Sequence, residues 1–114
     1  MAARVEVDRS ESGVAIISLI GEHELYSVLE VERALDRAIH DGRAVVIDMT
    51  RTEFLDSSVV AILLRAREEA HVVGTSFALV IDDSTGKSVR QLFEITGLAT
   101  IFRVAASRAE ALTP

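Results

Sequence analysis

The stretch from Val45 to Arg65 constrains the fold most. It opens with Val45-Val46-Ile47, three consecutive β-branched residues that read as a strand buried on both faces. It closes with a helix that starts at about Ser57. The polar turn between them ends in Asp56-Ser57-Ser58. Asp and Ser are the side chains that satisfy free N–H groups at a helix start. Two small hydroxyls are therefore expected at the positive end of a helix, on the rim of the fold. Such a place suits an anion, including one attached covalently to a serine. A plain N-cap role for Asp56 or Ser57 fits the same residues.

The rest of the chain extends this strand-to-helix unit. Val5 and Val7 alternate with charged neighbours as in an edge strand, and Glu11-Ser12-Gly13 reads as a hairpin turn. Val14–Ile20 is a nearly all-apolar central strand, which Gly21 is expected to stop. A first helix from Leu25 to Ile39 carries its apolar stripe on Val28, Val31, Leu35 and Ala38 and ends at Asp41-Gly42. Glu30, Arg33 and Arg37 form its wet side. A second helix spans Ser57–Val72 and a strand spans Ser76–Ile81. After the polar loop Asp82–Gly86, a third helix covers Lys87–Thr96, with Gly97 closing it. A short strand is expected within Ala99–Val104, then a last helical segment capped by Ser107. Thr113-Pro114 reads as a tail. Alternation of strands and helices predicts an α/β fold with a mixed sheet and helices mainly on one face.

At 114 residues, the whole of 1–114 is expected to be a single domain, and 49% hydrophobic content argues against disorder. With 12 basic and 18 acidic residues the net charge is −6, so nucleic acid is not an expected partner. The chain has no cysteine, which excludes disulfides, thiolate metal sites and a cysteine nucleophile. No apolar run approaches a membrane span, and Met1–Ser10 lacks the apolar core of a signal peptide. A cytoplasmic protein is the expectation.

Three kinds of chemistry can be weighed from the residues. Thr85-Gly86-Lys87-Ser88 follows a strand and opens a helix, but the first glycine of a phosphate-cradling loop would fall at position 81, which is Ile81. A nucleotide-binding protein is thus the disfavoured alternative, and no cofactor is expected. His23, His40 and His71 lack ligand spacing, so no metal is expected. Ser57 has no histidine predicted beside it to act as base, so no catalytic residue and no enzyme activity are expected. On the second helix, Val59, Leu63, Ala66, Ala70 and Val73 form the core stripe. Val60 and Leu64 lie off that stripe as an i,i+4 pair. They are either an apolar docking patch beside the serines or contacts beneath the third helix.

Taken together, these residues resemble the STAS domain of bacterial anti-sigma factor antagonists, over nearly the whole chain. The resemblance rests on Val46-Ile47-Asp48-Met49 followed by Phe54-Leu55-Asp56-Ser57-Ser58. It rests also on Leu19-Ile20-Gly21-Glu22, with Glu24 at the last position of the family's x-G-E-x-D, and on Val89–Leu98, similar to V-x-x-L-F-x-x-x-G-L. It implies a partner-switching role in transcription regulation, of the kind used in stress responses. A partner anti-sigma factor that is an ATP-dependent serine kinase phosphorylates Ser57, with Ser58 the second choice. The unmodified form binds that anti-sigma factor and frees a sigma factor, and a metal-dependent phosphatase restores the serine. The partner surface would comprise Glu24, Asp56, Ser57, Ser58, Val60 and Leu64. A homodimer is compatible with this reading, and so is an unswitched STAS scaffold. The family's Gly-Leu-Gly after the serines is here Val59-Val60-Ala61, a bulkier and stiffer surface for a partner backbone.

Overall fold

A computed structural model of the chain describes residues 2–9 and 11–113. β1 (Arg4–Asp8) pairs antiparallel with β2 (Val14–His23) through the expected hairpin. A single 3-10 turn, Leu25–Ser27, leads into α1 (Val28–Asp41). β3 (Ala44–Asp48) and β4 (Thr52–Leu55) precede α2 (Ser57–Val73). β5 (Ser76–Val80), α3 (Lys87–Thr96), α4 (Leu98–Ile101), β6 (Val104–Ala105) and α5 (Arg108–Ala111) complete the chain. The sheet order is β1-β2-β3-β5-β6, parallel throughout except for β1, with β4 pairing the far end of β2.

Alternation along the central strands sorts their side chains between two faces. Ala15, Ile17 and Leu19 of β2 and Val45 and Ile47 of β3 meet Val31 and Leu35 of α1, Val59 and Leu63 of α2, and Val89 and Phe93 of α3 in the main core. Val46, Ala78 and Val80 face the other way and are covered by Ala105 and Ala111. This is why Val45-Val46-Ile47 is apolar at every position. Helices lie mainly on one face, as expected, and short α5 closes the second. α2 packs principally along α1, whereas α3 rests on β4 and α4.

Five features differ from the sequence reading. Gly21 does not stop β2: it adopts φ 87°, open to glycine without strain, and a bulge at Gly21/Glu22 re-aims the strand toward β4. β4 itself lies in what reads as a polar turn, because Thr52-Glu53-Phe54-Leu55 buries only its two ends and shows no period of two. The segment 99–104 is mostly the short helix α4, and the strand is confined to Val104–Ala105. Gly42 does end α1, but by close approach: its φ is −148°, and a Cβ there would lie 2.6 Å from the Gly13 carbonyl oxygen. Val73, placed on the core stripe of α2, is 48% exposed because the helix outruns its neighbours, while Ile62 is buried.

Candidate functional site

The bulge in β2 and the short strand β4 together build the site. β4 pairs with Glu22 and His23, and the Asp56 N–H donates to the His23 carbonyl at 3.1 Å, which carries the pairing to the first residue before α2. The end of β2, the 3-10 turn and the start of α2 are thereby fixed beside one another.

Asp56 is the N-cap of α2. Its Oδ1 accepts from the Ser58 N–H at 3.0 Å and the Val59 N–H at 3.3 Å, and also from the Ser58 hydroxyl. The Ser58 hydroxyl contributes most to holding the Asp56 carboxyl below the usual carboxylate range. Slight burial opposes it, and the N–H groups of Val59, Ser58 and Leu25 add to it. The Val60 N–H donates to the Asp56 carbonyl at 3.1 Å. Of the free donors at this helix start, only the Ser57 N–H remains open among the described residues. The anion site expected here is thus already held by the Asp56 carboxylate.

The two serines are inequivalent. Ser58 is half-buried and tied to Asp56. Ser57 is exposed, and its hydroxyl has no hydrogen-bond partner among the described residues. One helical turn on, Ala61 is exposed, and Val60 and Leu64 are half-buried, in contact with the edge of the main core. Ser57, Val60, Ala61 and Leu64 follow an i, i+3, i+4, i+7 spacing and share one face of α2. Val59 is fully buried, so its bulk is turned away from the surface; Ala61 is the only exposed residue of the Val59-Val60-Ala61 triplet.

Glu24 caps the 3-10 turn by position but not by a side-chain hydrogen bond, and it lies one residue from Leu25, whose N–H points at Asp56. Leu25 is 73% exposed. Sequence reasoning assigned Leu25 to the first helix and did not mark it. A large apolar side chain at the first position of a helix, directly after Glu22-His23-Glu24, was the available signal. Phe54, on β4 two residues before Asp56, is 39% exposed.

His23 is buried behind the site. Its Nε2 lies 3.2 Å from the carbonyl oxygens of both Arg4 and Ile20, and so must carry the proton. Nδ1 lies 3.1 Å from the Ser27 Oγ, whose single proton also faces the Glu24 carbonyl at 3.0 Å. Burial pushes the His23 pKa down and outweighs the two carbonyls and the Glu30 charge, which pull it up. His40 pairs with Glu69 at 2.7 Å on the surface, and His71 is exposed. The described residues contain no group of three or more His, Cys, Asp or Glu able to hold a metal ion. No described helix is long and apolar enough to cross a membrane.

The Thr85-Gly86-Lys87-Ser88 segment has a packing role. The Gly86 N–H donates to the Thr52 carbonyl at 2.8 Å, and a Cβ on Gly86 would lie 2.6 Å from the Glu53 carbonyl oxygen. The preceding loop closes on itself, with Ser84 N–H and hydroxyl both donating to Asp82.

A mixed sheet with its longer helices on one side, and an exposed serine opening its second α-helix, defines an α/β module of the STAS type. The chain belongs to the STAS domain family, whose model matches residues 6–111. It is similar to the anti-sigma-F factor antagonist RsfB of Mycobacterium tuberculosis, 32% identical over 105 residues that cover 90% of this chain and 81% of RsfB. An anti-sigma factor antagonist from Mycobacterium paratuberculosis superimposes with a TM-score of 0.82 at 27% identity, covering 97% of this chain and 92% of that one. The fold is shared with the anti-sigma factor antagonist SpoIIAA in its unphosphorylated form, TM-score 0.77 at 22% identity over 96% and 93% of the two chains. It is also shared with the phosphorylated form of the Bacillus protein, TM-score 0.70 at 21% identity over 96% of each.

Proposed function

We propose that this chain is an anti-sigma factor antagonist whose partner binding is switched by phosphorylation of Ser57. The observation that carries the reading is the inequivalence of the serines: the Ser57 hydroxyl is exposed and unengaged, while that of Ser58 is tied to Asp56. The kinship with RsfB supports it. In the unmodified form, Ser57 with Glu24, Asp56, Ser58, Val60 and Leu64 forms the surface that receives an anti-sigma factor, which releases its sigma factor. Leu25 and Ala61 extend that surface. The anti-sigma factor acts as serine kinase: the Ser57 oxygen bonds to the γ-phosphorus of ATP, ADP departs and the hydroxyl proton is lost. A metal-dependent phosphatase reverses the step. The chain itself is substrate and ligand rather than catalyst, works in the cytoplasm and acts as one domain over 1–114.

Phosphorylation adds a charge of about −1.5 to −2 and three acceptor oxygens. That charge arrives next to the Asp56 carboxylate and in a chain of net charge −6. A partner surface closed over a neutral hydroxyl would have to desolvate it. Affinity is expected to fall on the order of a hundredfold, about 2.7 kcal/mol. Incubation with the cognate anti-sigma kinase and ATP, phosphate mapping by mass spectrometry, and calorimetric titration of wild type, phosphorylated protein, Ser57→Ala and Ser57→Asp test it. Ser57→Ala should bind as wild type does and Ser57→Asp weakly. Equal affinity for all four forms would leave an unswitched STAS scaffold instead.

A further inference from the structure

We infer that the groove between β1 and α1 is a second protein-binding surface, which receives an extended acidic segment of a partner as an added strand on the edge of the sheet. The groove has a volume of about 550 Å³. Its walls are Val5 and Val7 of β1 and Tyr26, Leu29 and Ala34 on the side of α1. Tyr26 is 68% and Leu29 55% exposed, and the Tyr26 ring is held in place by its hydroxyl, which donates to the Glu22 carbonyl at 3.1 Å.

Charge selects the occupant. Arg9, Arg33 and Arg37 line the same groove, with Glu30 its one carboxylate. None of the three arginines has an ion-pair partner among the described residues, although the chain carries six more negative than positive charges. Three unpaired guanidiniums around an apolar floor fit a ligand that brings carboxylates and an apolar side chain together.

Backbone selects its form. Among the described residues β1 pairs with no strand but β2, so the outer edge of the sheet offers a ladder that an alkyl anion cannot fill. A second copy of β1 laid beside it would present only Val5, Val7 and Arg9 on the groove side, and no carboxylate for the arginines. α1 links the parallel strands β2 and β3, so it runs back alongside β1 in the same sense. Leu29, Arg33 and Arg37 are successive turns, and Leu29 to Arg37 spans about 12 Å. An extended chain covers that in about four residues. The segment therefore carries an apolar residue against Leu29 and acidic residues two and four positions away, all on one face of the added strand.

Fluorescein-labelled Thr-Leu-Thr-Glu-Thr-Glu-Thr and its reverse-order partner serve as probes, read by fluorescence anisotropy and by hydrogen exchange of the β1 amides. One of the two should bind and slow exchange within Arg4–Asp8. Arg33→Glu combined with Arg37→Glu, both exposed and away from the core, should weaken it at least tenfold with an unchanged melting curve. A probe with Lys for both Glu, or Pro for the Thr between the two Glu, should not bind. Equal binding by either control, unchanged β1 exchange, or tighter binding of sodium decanoate than of both peptides would overturn the proposal. So would a dimer of the free protein, seen in sedimentation, that the double variant abolishes.

Discussion

At the scale of single residues, the site is decided by which hydroxyl is engaged. Ser57→Ala should abolish phosphate incorporation by the cognate kinase, whereas Ser58→Ala should retain it, as peptide mapping by mass spectrometry will show. Ser58→Ala removes the largest of the contacts that hold Asp56 below its usual pKa, so the Asp56 titration followed by NMR should move upward in that variant. Its stability should fall by about 1 kcal/mol, the ordinary worth of one intramolecular hydrogen bond. The Asp56 contribution has a definite sign. A carboxylate whose folded pKa is depressed stabilises above its unfolded value, near 3.9, and loses that stability as pH falls through the folded value. His23 works in the same direction. Its folded pKa is lowered by burial, so neutral His23 is compatible with the fold above about 6.5, and protonation in the unfolded chain favours unfolding as pH falls below that. A ¹⁵N titration should find His23 titrating below the free-histidine range, with the proton on Nε2 in its neutral form.

At the scale of elements, the start of α2 presents a face rather than a point. Val60 and Leu64 touch both the core edge and solvent, so they are neither a pure docking patch nor plain core. Leu64→Asp should lower stability by about 1–2 kcal/mol, less than a charge placed in a full core. Ala61→Arg is the cleaner probe of docking. Ala61 is exposed, so the change should leave the melting midpoint nearly unmoved while it weakens anti-sigma factor binding at least tenfold in calorimetry. Gly86 shows the opposite behaviour. Its backbone lies so close to Glu53 that Gly86→Ala must push α3 off β4, at a cost of about 2 kcal/mol in chemical denaturation. Because β4 holds the N-terminus of α2, that change should also loosen the site.

At the scale of the whole molecule, the second face of the sheet is tied down by an ion pair far apart in sequence. Arg108 Nε, on α5, donates to the Asp48 carboxylate of β3 at 2.7 Å, and its Nη2 donates to the Ser18 hydroxyl of β2 at 3.2 Å. Burial pushes the Asp48 carboxyl up. The Thr50 N–H and hydroxyl and the Arg108 guanidinium together outweigh it and hold the carboxyl below its usual range. Arg108 is 44% exposed, so solvent screens part of the attraction, and Arg108→Ala should cost about 1 kcal/mol at pH 7. The cost should shrink as pH falls through the folded Asp48 value, where the carboxyl is neutral in both proteins. Thermal melts of the pair from pH 7 to pH 3 check this.

What the sequence determined alone was local or periodic. The buried run Val45-Val46-Ile47, the caps at Asp56 and Ser107, and the helix ends at Gly74 and Gly97 follow from residue chemistry within a turn or two. Those signals put a serine at a helix N-terminus without any tertiary information. Tertiary structure decided what depends on distant partners. β4 exists because the bulged end of β2 offers it a ladder, not because Thr52–Leu55 carries a strand pattern. The family resemblance ranks Ser57 above Ser58, but the physical difference between them comes from the fold: Asp56, whose N–H donates to the His23 carbonyl and whose carboxylate caps α2, engages the Ser58 hydroxyl and leaves that of Ser57 free. Val59, a bulky residue where the family has glycine, is turned into the core by helix phase rather than onto the surface, and only the packing of α2 against α1 and the sheet fixes that phase.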